Sequence, residues 1–344
     1  MTPERERVFA ALEWRSSDMV AFEYSGSKMG PIYEHGQKII DLWEKYPDDF
    51  GRWESSQIVA PNPANFDENG NYYELYKDKF GTTWEIHDFG ECGHPCRSPI
   101  ETEEQIKDYK FPPTDHENES DFLAYKKLVK EHKKKYFCQA GWINLFERLI
   151  EIRGFEETLM DIAMDTDEIN LLADRVVEYE AKNIQGYLDA GADGILFGED
   201  YGSQQNLLMS PDTWRRFIKP RLKKLTDQIK ASGAKAMLHS CGQVFSILPD
   251  IKEIGIDSLW PQLALYNDVE LAEKCRDIKL ALALHLDRSN LMYNGSPSDI
   301  RAAVDRAVKV FRPQEGGSWF YFQADTGFSY ENIEALITSI AAYR

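Results

Sequence analysis

The sequence predicts an α/β fold, a closed (β/α)8 TIM barrel with an irregular, hairpin-rich excursion near its N-terminus. Short apolar runs without strict alternation recur along the chain, which is typical of strands buried on both faces of a parallel sheet. A helical pattern follows each run, and seven or eight such runs are present, with room for one more in the irregular region. No Gly-x-Gly-x-x-Gly motif follows a strand, which argues against an open dinucleotide-binding sheet.

The N-terminal third contains the first helix, the first strand and the excursion. Residues 3–14 carry apolar positions at helical spacing, residues 19–24 form an apolar run that predicts a buried strand, and residues 33–46 again show helical spacing. From about residue 50 to 115, prolines, glycines and asparagines interrupt short aromatic runs, which predicts hairpins. We interpret residues 1–344 as one barrel domain that contains this insertion.

Strands and helices alternate regularly in the rest of the chain. The predicted strands cover residues 136–141, 194–197, 235–239, 256–260, 279–284 and 319–322. The predicted helices cover residues 120–134, 143–153, 155–164, 166–189, 211–232, 268–276, 297–311 and 330–343. This alternation is the pattern of consecutive βα units in a parallel barrel.

Composition limits the classes of partner and the cellular location. The net charge is −18 and the isoelectric point is near 4.9, whereas nucleic acids require a basic face, so we expect no nucleic-acid partner. No stretch approaches the ~20 apolar residues of a membrane span, and the polar N-terminus does not look like a secretion signal. Five scattered cysteines favour reduced thiols over a disulfide framework. We therefore expect a cytoplasmic protein without membrane association.

Chemically active side chains follow the ends of several predicted strands. They are Glu199 and Asp200, His239 and Cys241, His285 and Asp287, and Gln323 and Asp325. The C-terminal ends of barrel strands meet at the face that carries the active site. Adjacent carboxylates have no structural use at a strand end, so Glu199 and Asp200 are candidate catalytic residues. His285, an imidazole after another predicted strand, is a third candidate. The alternative for one of the two carboxylates is to cap a helix N-terminus.

The stretch His239-Ser240-Cys241-Gly242 predicts a zinc site. An imidazole and a thiolate at a strand end can bind one Zn²⁺ while the glycine lets the backbone turn, although such a pair is more often part of a core. Asp325, or a carboxylate from Glu199 and Asp200, would be the third ligand. A second cluster, Cys92-Gly93-His94-Pro95-Cys96, is too closely spaced around a proline, and we interpret it as a turn that contains cysteines.

Aromatic and amide side chains near the strand ends are candidates for a substrate pocket. Trp142, Trp260 and Tyr201 follow predicted strands, and Gln204 and Gln323 lie in the connections after two of them. Residues in these positions face the C-terminal end of a barrel, where substrates bind.

Several motifs of this chain resemble those of the uroporphyrinogen decarboxylase superfamily, and more narrowly of its corrinoid-dependent methyltransferase branch. The resemblance is most specific within residues 197–242 and extends over about residues 1–340. The motifs are Phe197-Gly198-Glu199-Asp200-Tyr201-Gly202-Ser203-Gln204-Gln205, Leu208-Met209-Ser210-Pro211, Phe217-Ile218-Lys219-Pro220 and Leu238-His239-Ser240-Cys241-Gly242. The resemblance implies a (β/α)8 barrel in which His239 and Cys241 bind zinc.

The resemblance also implies a reaction. A member of this branch moves a methyl group between a small methyl donor or a thiol and a corrinoid (cobalamin) cofactor that a partner protein carries. Some members have a cysteine near the last strand, but this chain has Gln323-Ala324-Asp325-Thr326-Gly327 there, so a carboxylate would replace that ligand. Glu199 or Asp200 would complete the site or handle protons, and His285 would assist in acid–base chemistry.

Two alternatives remain at the sequence level. The first is uroporphyrinogen decarboxylase itself, an enzyme of tetrapyrrole (porphyrin) biosynthesis, in which a carboxylate such as Asp200 steers a proton. Its N-terminal Arg-Gln-Ala-Gly-Arg motif is replaced here by Glu13-Trp14-Arg15-Ser16-Ser17, and Arg288 is the only arginine at a strand end, although a polycarboxylate substrate needs several. The second is a corrinoid or metal carrier without catalysis.

Overall fold

A computed structural model describes residues 1–24, 29–51 and 57–344. Its strands, in chain order, are β1 Phe22–Tyr24, β2 Glu74–Lys77, β3 Thr83–Ile86, β4 His94–Arg97, β5 Gln139–Ile143, β6 Gly194–Gly198, β7 Lys235–Ser240, β8 Ser258–Pro261, β9 Ala281–His285 and β10 Ser318–Phe322. Seven of them form one parallel sheet in the order β1-β10-β9-β8-β7-β6-β5. This sheet confirms the predicted barrel-type α/β fold.

Helices cover the outer face of this sheet. They are α1 Pro3–Leu12, α2 Met29–His35, α3 Gln37–Lys45, α4 Glu103–Asp108, α5 Glu119–His132, α6 Phe146–Arg153, α7 Phe155–Met164, α8 Asp167–Ala190, α9 Pro211–Phe217, α10 Lys219–Ala231, α11 Leu248–Glu253, α12 Asp268–Ile278, α13 Leu291–Asn294, α14 Pro297–Phe311 and α15 Tyr330–Ala341. Among the residues described, none of these helices is long and apolar enough to cross a membrane.

Local signals in the sequence set the ends of these helices. The hydroxyl of Thr166 accepts a hydrogen bond from the Ile169 N–H at the start of α8, and Gly191 ends that helix with a φ of 97°. The single helix predicted over residues 211–232 is instead the pair α9 and α10. Pro220 lacks an N–H and is tolerated only in a first helical turn, so a new helix starts at Lys219.

The backbone near Asp49 links the two edge strands of the sheet. The Asp49 N–H donates to the Phe22 carbonyl over 2.9 Å, and the Phe137 N–H donates to the Asp49 carbonyl over 3.2 Å. The buried Asp49 carboxylate also accepts from the Phe22 N–H and pairs with Arg7, both over 2.9 Å. This short irregular segment therefore occupies the place of the eighth strand and closes the barrel.

Apolar side chains fill the N-terminal end of the barrel. Leu196, Met237 and Trp319 lie inside the sheet, and Val8 and Leu12 of α1 pack against the same cluster. Burying each such side chain stabilises the fold by roughly 1.5–3 kcal/mol. Because this end is packed, space for a ligand remains at the C-terminal ends of the strands.

The predicted hairpin excursion forms a separate antiparallel sheet of β2, β3 and β4. Thr82 anchors it to the barrel, because its hydroxyl donates to the Glu151 carbonyl over 2.9 Å. Trp84 and residues 92–95 of this sheet face the cavity at the C-terminal end of the barrel. The excursion thus supplies one wall of that cavity. Residues 52–56 of the predicted insertion lie outside the described residues.

Candidate active site

A cavity of about 1050 Å³ opens at the C-terminal ends of the barrel strands. Side chains from all seven strands of the parallel sheet, or from the residues directly after them, line it. They include Glu23, Gln139, Trp142, Asp200, His239, Cys241, Trp260, His285, Tyr321 and Gln323. The barrel therefore gathers residues that are far apart in the sequence at one face, as expected for this architecture.

Asp200, His239 and Cys241 form a group with metal-ligand geometry in this cavity. One side-chain donor atom of each lies within 4.8 Å of the other two. The Nε2 atom of His239 is 3.4 Å from the Cys241 Sγ and 3.4 Å from the Asp200 Oδ1. Nitrogen, sulfur and oxygen are the ligand atoms that Zn²⁺ accepts in proteins, and three protein ligands leave one position for substrate. The donor set fits zinc.

A tight turn after β7 brings these ligands together. Gly242 has a φ of 75°, and a Cβ atom built on it would lie 2.0 Å from the Gly202 carbonyl, so only glycine fits there. The Cys241 N–H donates to the Asp200 Oδ1 over 2.9 Å. The buried Ser240 hydroxyl accepts from the Tyr201 N–H over 3.2 Å. The loops after β6 and β7 are thereby tied to each other.

The backbone of β8 fixes the tautomer of His239. Its Nδ1 lies 3.1 Å from the Trp260 carbonyl oxygen, which can only accept a hydrogen bond. The proton of the neutral imidazole is therefore on Nδ1, and the lone pair of Nε2 points to the Cys241 and Asp200 side chains. Such an outer hydrogen bond is the usual way in which proteins orient a metal-binding histidine.

The ionisation states of the group suit a bound cation. Burial opposes ionisation of Asp200, but a hydrogen bond and positive charge from His239 in its protonated form, together with the Cys241 N–H, outweigh burial and keep its pKa below the ordinary value. Burial, together with the neighbouring Asp200, raises the pKa of the Cys241 thiol to about 12. The thiolate form of Cys241 therefore requires a positive charge beside the sulfur.

Glu199 has a different position from Asp200. Its carboxylate is fully buried and accepts hydrogen bonds from the backbone N–H groups of Leu145, Phe146 and Glu147 over 2.5, 2.9 and 3.2 Å. These are unpaired donors at the start of α6. Burial raises the pKa of Glu199 well above its ordinary value, and the three hydrogen bonds act against this shift. Glu199 therefore caps the N-terminus of α6, which is the alternative role considered for one of the two adjacent carboxylates.

His285 is buried at the end of β9 and faces the cavity. Its Nδ1 accepts a hydrogen bond from the Trp260 Nε1–H over 3.1 Å, which places the proton of the neutral ring on Nε2. The Trp260 ring lies between His239 and Tyr321, with both centroid distances at 4.0 Å. Aromatic packing therefore holds both histidines in fixed orientations.

The predicted pocket residues divide into two groups. Trp142, Trp260 and Gln323 line the cavity, and half of the Trp142 side chain is exposed there. Tyr201 is fully buried and packs against Trp214, while Gln204 lies in an exposed loop. Neither is among the described residues that line the cavity.

Asp325 and the cysteine-rich stretch stand apart from the candidate metal group. The Asp325 carboxylate lies 3.5 Å from the Arg288 guanidinium and accepts from Gln323 over 3.1 Å. Cys92 and Cys96 are exposed, and residues 94–97 form the edge strand β4 rather than a turn. Neither region belongs to a metal-ligand group of three among the described residues.

Sequence reasoning missed three carboxyl groups of the cavity, those of Glu23, Glu147 and Glu151. Glu147, at the start of α6, accepts from the Asp200 N–H over 3.3 Å, and burial with the nearby Asp200 raises its pKa to about 8. Burial also raises the pKa of Glu23 to about 8. Glu147 looks in the sequence like an ordinary acidic residue at a helix start. Glu23 gives a signal, since it is a charge at the end of an apolar strand.

Comparisons with known proteins agree with this architecture. The family model described as uroporphyrinogen decarboxylase (URO-D) matches residues 79–339. The methylcobamide:CoM methyltransferase MtaA of Methanosarcina barkeri is 30% identical over 119 residues, which are 35% of this chain and only about a third of that protein. The methylcobamide:CoM methyltransferase MtbA of Methanosarcina mazei is 21% identical over 74% of this chain and 78% of its own length.

A solved structure extends the likeness to the complete fold. A methyltransferase from Methanosarcina mazei has a TM-score of 0.70 and 15% identity, and the match covers 100% of this chain and 99% of the other. At this identity the match shows the fold alone. The family model, however, covers most of the sequence, and the sequence relatives are methyltransferases. The chain belongs to the uroporphyrinogen decarboxylase family, and the methyltransferases MtaA and MtbA are among its sequence relatives.

Proposed function

We propose that this protein is a zinc-dependent methyltransferase that moves a methyl group between a small methyl donor or thiol and a corrinoid carried by a partner protein. The group of Asp200, His239 and Cys241 is the observation that carries the proposal. The names of the relatives MtaA and MtbA support the corrinoid, because both proteins are methylcobamide:CoM methyltransferases.

In this proposal Asp200, His239 and Cys241 bind the metal and the cavity binds the substrate. When bound, Zn²⁺ supplies positive charge that stabilises a substrate thiolate or polarises the heteroatom that carries the methyl group. Cys241 and Asp200 each contribute one negative charge and His239 none. The complete site is then neutral overall, which leaves a bound thiolate nucleophilic.

Two residues of the cavity are suited to proton handling. The pKa of Glu147 is raised to about 8, so that its carboxyl group can take up or release a proton near neutral pH. His285 presents its Nε2 from the adjacent strand, with its Nδ1 held by Trp260. Glu147 can accept the proton that a thiol loses or protonate a departing heteroatom, and the Nε2–H of His285 can donate a hydrogen bond to the substrate.

Uroporphyrinogen decarboxylation, the alternative, has less support from the cavity. A substrate with several carboxylates needs convergent cations. Among the described residues, Arg288 is the only arginine that lines the cavity, and no lysine does. We expect no loss of CO₂ from uroporphyrinogen, measured by mass spectrometry, and detectable CO₂ would restore this alternative.

Metal analysis of purified variants tests the zinc site. We expect about one zinc per chain in the wild type, and a loss of zinc affinity of roughly 100-fold or more in His239→Ala, Cys241→Ser and Asp200→Asn. The matched control is Asp325→Asn, which changes a carboxylate outside the group and should retain zinc. Equal zinc content in wild type and in all three ligand variants would contradict the proposal.

Methyl transfer to free cobalamin tests the reaction. The zinc-loaded protein is incubated with reduced cobalamin and methylated thiols, amines or ethers, and formation of methylcobalamin is followed by its visible spectrum. We expect a rate above background that is lost in Cys241→Ser. A zinc-loaded protein that transfers no methyl group from any class would favour the carrier alternative.

A further inference from the structure

Part of the cavity wall carries hydrogen-bond acceptors. Glu23 is buried in β1, where its carboxyl group accepts from the Trp319 Nε1–H over 2.8 Å and from the Gln139 side-chain amide over 3.3 Å. Gln139 and Asn144 line the same cavity, and their buried side-chain oxygens have no hydrogen-bond partner among the described residues. We call Glu23, Gln139 and Asn144 the acceptor wall.

A buried acceptor without a donor is costly, by about 1–3 kcal/mol for each group. Asn144 is only 3% exposed, so bulk water does not compensate its oxygen. A ligand that donates hydrogen bonds would complete the acceptor wall once a rotation of the Gln139 or Asn144 side chain brings its oxygen to the cavity surface. The unpaired oxygens of Gln139 and Asn144 are a property of the cavity wall that does not depend on whether Asp200, His239 and Cys241 bind a metal.

The ionisable side chains of the cavity further limit the classes of ligand that it can bind. Its described lining contains five carboxyl side chains, Glu23, Glu147, Glu151, Asp200 and Asp287, and one arginine. That arginine, Arg288, already pairs with Asp325 over 3.5 Å. A sulfonate or carboxylate would find no unpaired cation in this described lining, whereas a cationic ligand would favour the ionised form of the carboxyl groups.

The aromatic residues add a second attraction for cations. Trp142 lines the cavity and presents half of its side chain there, whereas His239 and Tyr321 cover the two faces of Trp260. The face of an accessible tryptophan ring attracts ammonium groups. Acceptors, carboxyl groups and aromatic faces thus all favour the same charge.

We propose that the small substrate carries an ammonium group, which the acceptor wall binds while the thiol or methyl end of the molecule reaches Asp200, His239 and Cys241. This inference rests on the proposed function for the reacting end but not for the charged end. Glu23 is then the residue that determines specificity, since its carboxylate pairs with the ammonium group. The raised pKa of Glu23 agrees with a carboxyl group that lacks a cation in the ligand-free cavity.

Three thiols of equal length test the charge preference. The probes are 2-aminoethanethiol, 2-mercaptoethanol and 2-mercaptoethanesulfonate, which are cationic, neutral and anionic at neutral pH. Binding to the zinc-loaded protein is measured by isothermal titration calorimetry. We expect the cationic thiol to bind at least about tenfold more tightly than the neutral one, and the anionic thiol to bind most weakly. Equal binding of all three, or a preference for the sulfonate, would overturn the inference.

Variants of Glu23 and Gln139 test whether the acceptor wall causes the preference for the cationic thiol. Glu23→Gln keeps the shape and can keep the hydrogen bond from Trp319 but removes the charge, and it should bind the cationic and neutral thiols within about twofold of each other. The control Glu85→Gln makes the same change at a carboxylate of β3 outside the described lining of the cavity, and it should keep the preference. If Glu23→Gln does not fold, the half-buried Gln139→Met provides the test and should reduce the preference several-fold. An unchanged preference in the folded variant overturns the inference.

Metal-free protein separates this inference from the proposed function. Ethylammonium should bind the metal-free wild type and bind at least about tenfold more weakly to Glu23→Gln. That result supports the inference even if the protein takes up no zinc and transfers no methyl group. Zinc binding and methyl transfer without this Glu23 dependence would overturn the inference alone.

Discussion

At the scale of single residues, the candidate site combines His239 and Cys241, which are close in the sequence, with Asp200, which only the fold brings next to them. His239 and Cys241 were predicted because they follow an apolar run, and Asp200 because it follows another. The choice among the carboxylates could not be made from sequence. Asp325 and Asp200 both follow strands, but the turn at Gly242 brings only the loop of Asp200 next to the Cys241 N–H.

The substitution Gly242→Ala tests this turn. A methyl group there would collide with the Gly202 carbonyl in a backbone conformation of positive φ. We expect a loss of free energy of unfolding of roughly 1–3 kcal/mol together with reduced zinc content. Chemical denaturation and metal analysis provide the measurements.

Gly233→Ala is the matched control for this prediction. Gly233 also has a positive φ, of 83°, but no described atom lies within 4 Å of the position that an added Cβ would take. It should lose about 1–2 kcal/mol, the cost of the backbone conformation alone, and retain all its zinc. The explanation of the turn would be wrong if both variants bound zinc as the wild type does.

At the scale of elements, most helices and strands follow from periodicity, and the exceptions have identifiable causes. Pro220 divides one predicted helix into α9 and α10. The segment around Asp49 closes the barrel through hydrogen bonds to Phe22 and Phe137. No local sequence pattern predicts these two hydrogen bonds. Long-range pairing of this kind is invisible in a single sequence.

Glu199 stabilises an element that lies elsewhere in the sequence. It directly follows β6 and caps the start of α6. We expect Glu199→Ala to lower the free energy of unfolding by about 1–3 kcal/mol, since three N–H groups at the start of α6 lose their acceptor. Zinc content should remain near that of the wild type. Thermal denaturation and metal analysis measure the two effects.

A helix cap on the surface is the comparison for Glu199. Asn118 caps the exposed start of α5, and Asn118→Ala should cost only about 1 kcal/mol, since water replaces the side chain. If Glu199→Ala lost zinc but not stability, Glu199 would act in the metal site rather than as a cap.

At the scale of the whole molecule, buried carboxyl groups make stability depend on pH. Burial raises the pKa of Glu23 and Glu147 to about 8 and that of Glu151 and Glu180 to about 7, from ordinary values of 4.5. The folded protein therefore binds more protons than the unfolded chain in this range. The free energy of unfolding should fall as the pH rises from about 5 to about 8, between the ordinary and the raised pKa values.

Urea denaturation at several pH values measures this dependence. Glu23→Gln has one titrating group fewer, so its free energy of unfolding should fall less steeply than that of the wild type. Stability that stays constant or rises over this range would contradict the raised pKa values.

The fold class and family were predictable at this scale because repeated βα units and the motifs of residues 197–242 are patterns within the sequence. The acceptor wall was not, since Glu23, Gln139 and Asn144 come from two separate strands and the residue after one of them, which meet only when the barrel closes. Patterns along the chain thus predict the architecture, whereas the polarity of the cavity requires the closed structure.

Zinc-edge X-ray absorption spectroscopy of the zinc-loaded protein tests the central claim most directly. Bond lengths distinguish the ligands, because Zn–S is about 2.3 Å and Zn–N or Zn–O about 2.0–2.2 Å. We predict one sulfur ligand together with nitrogen and oxygen ligands, and loss of the sulfur signal in Cys241→Ser. Two sulfur ligands, or zinc bound without sulfur in the wild type, would contradict the site formed by Asp200, His239 and Cys241.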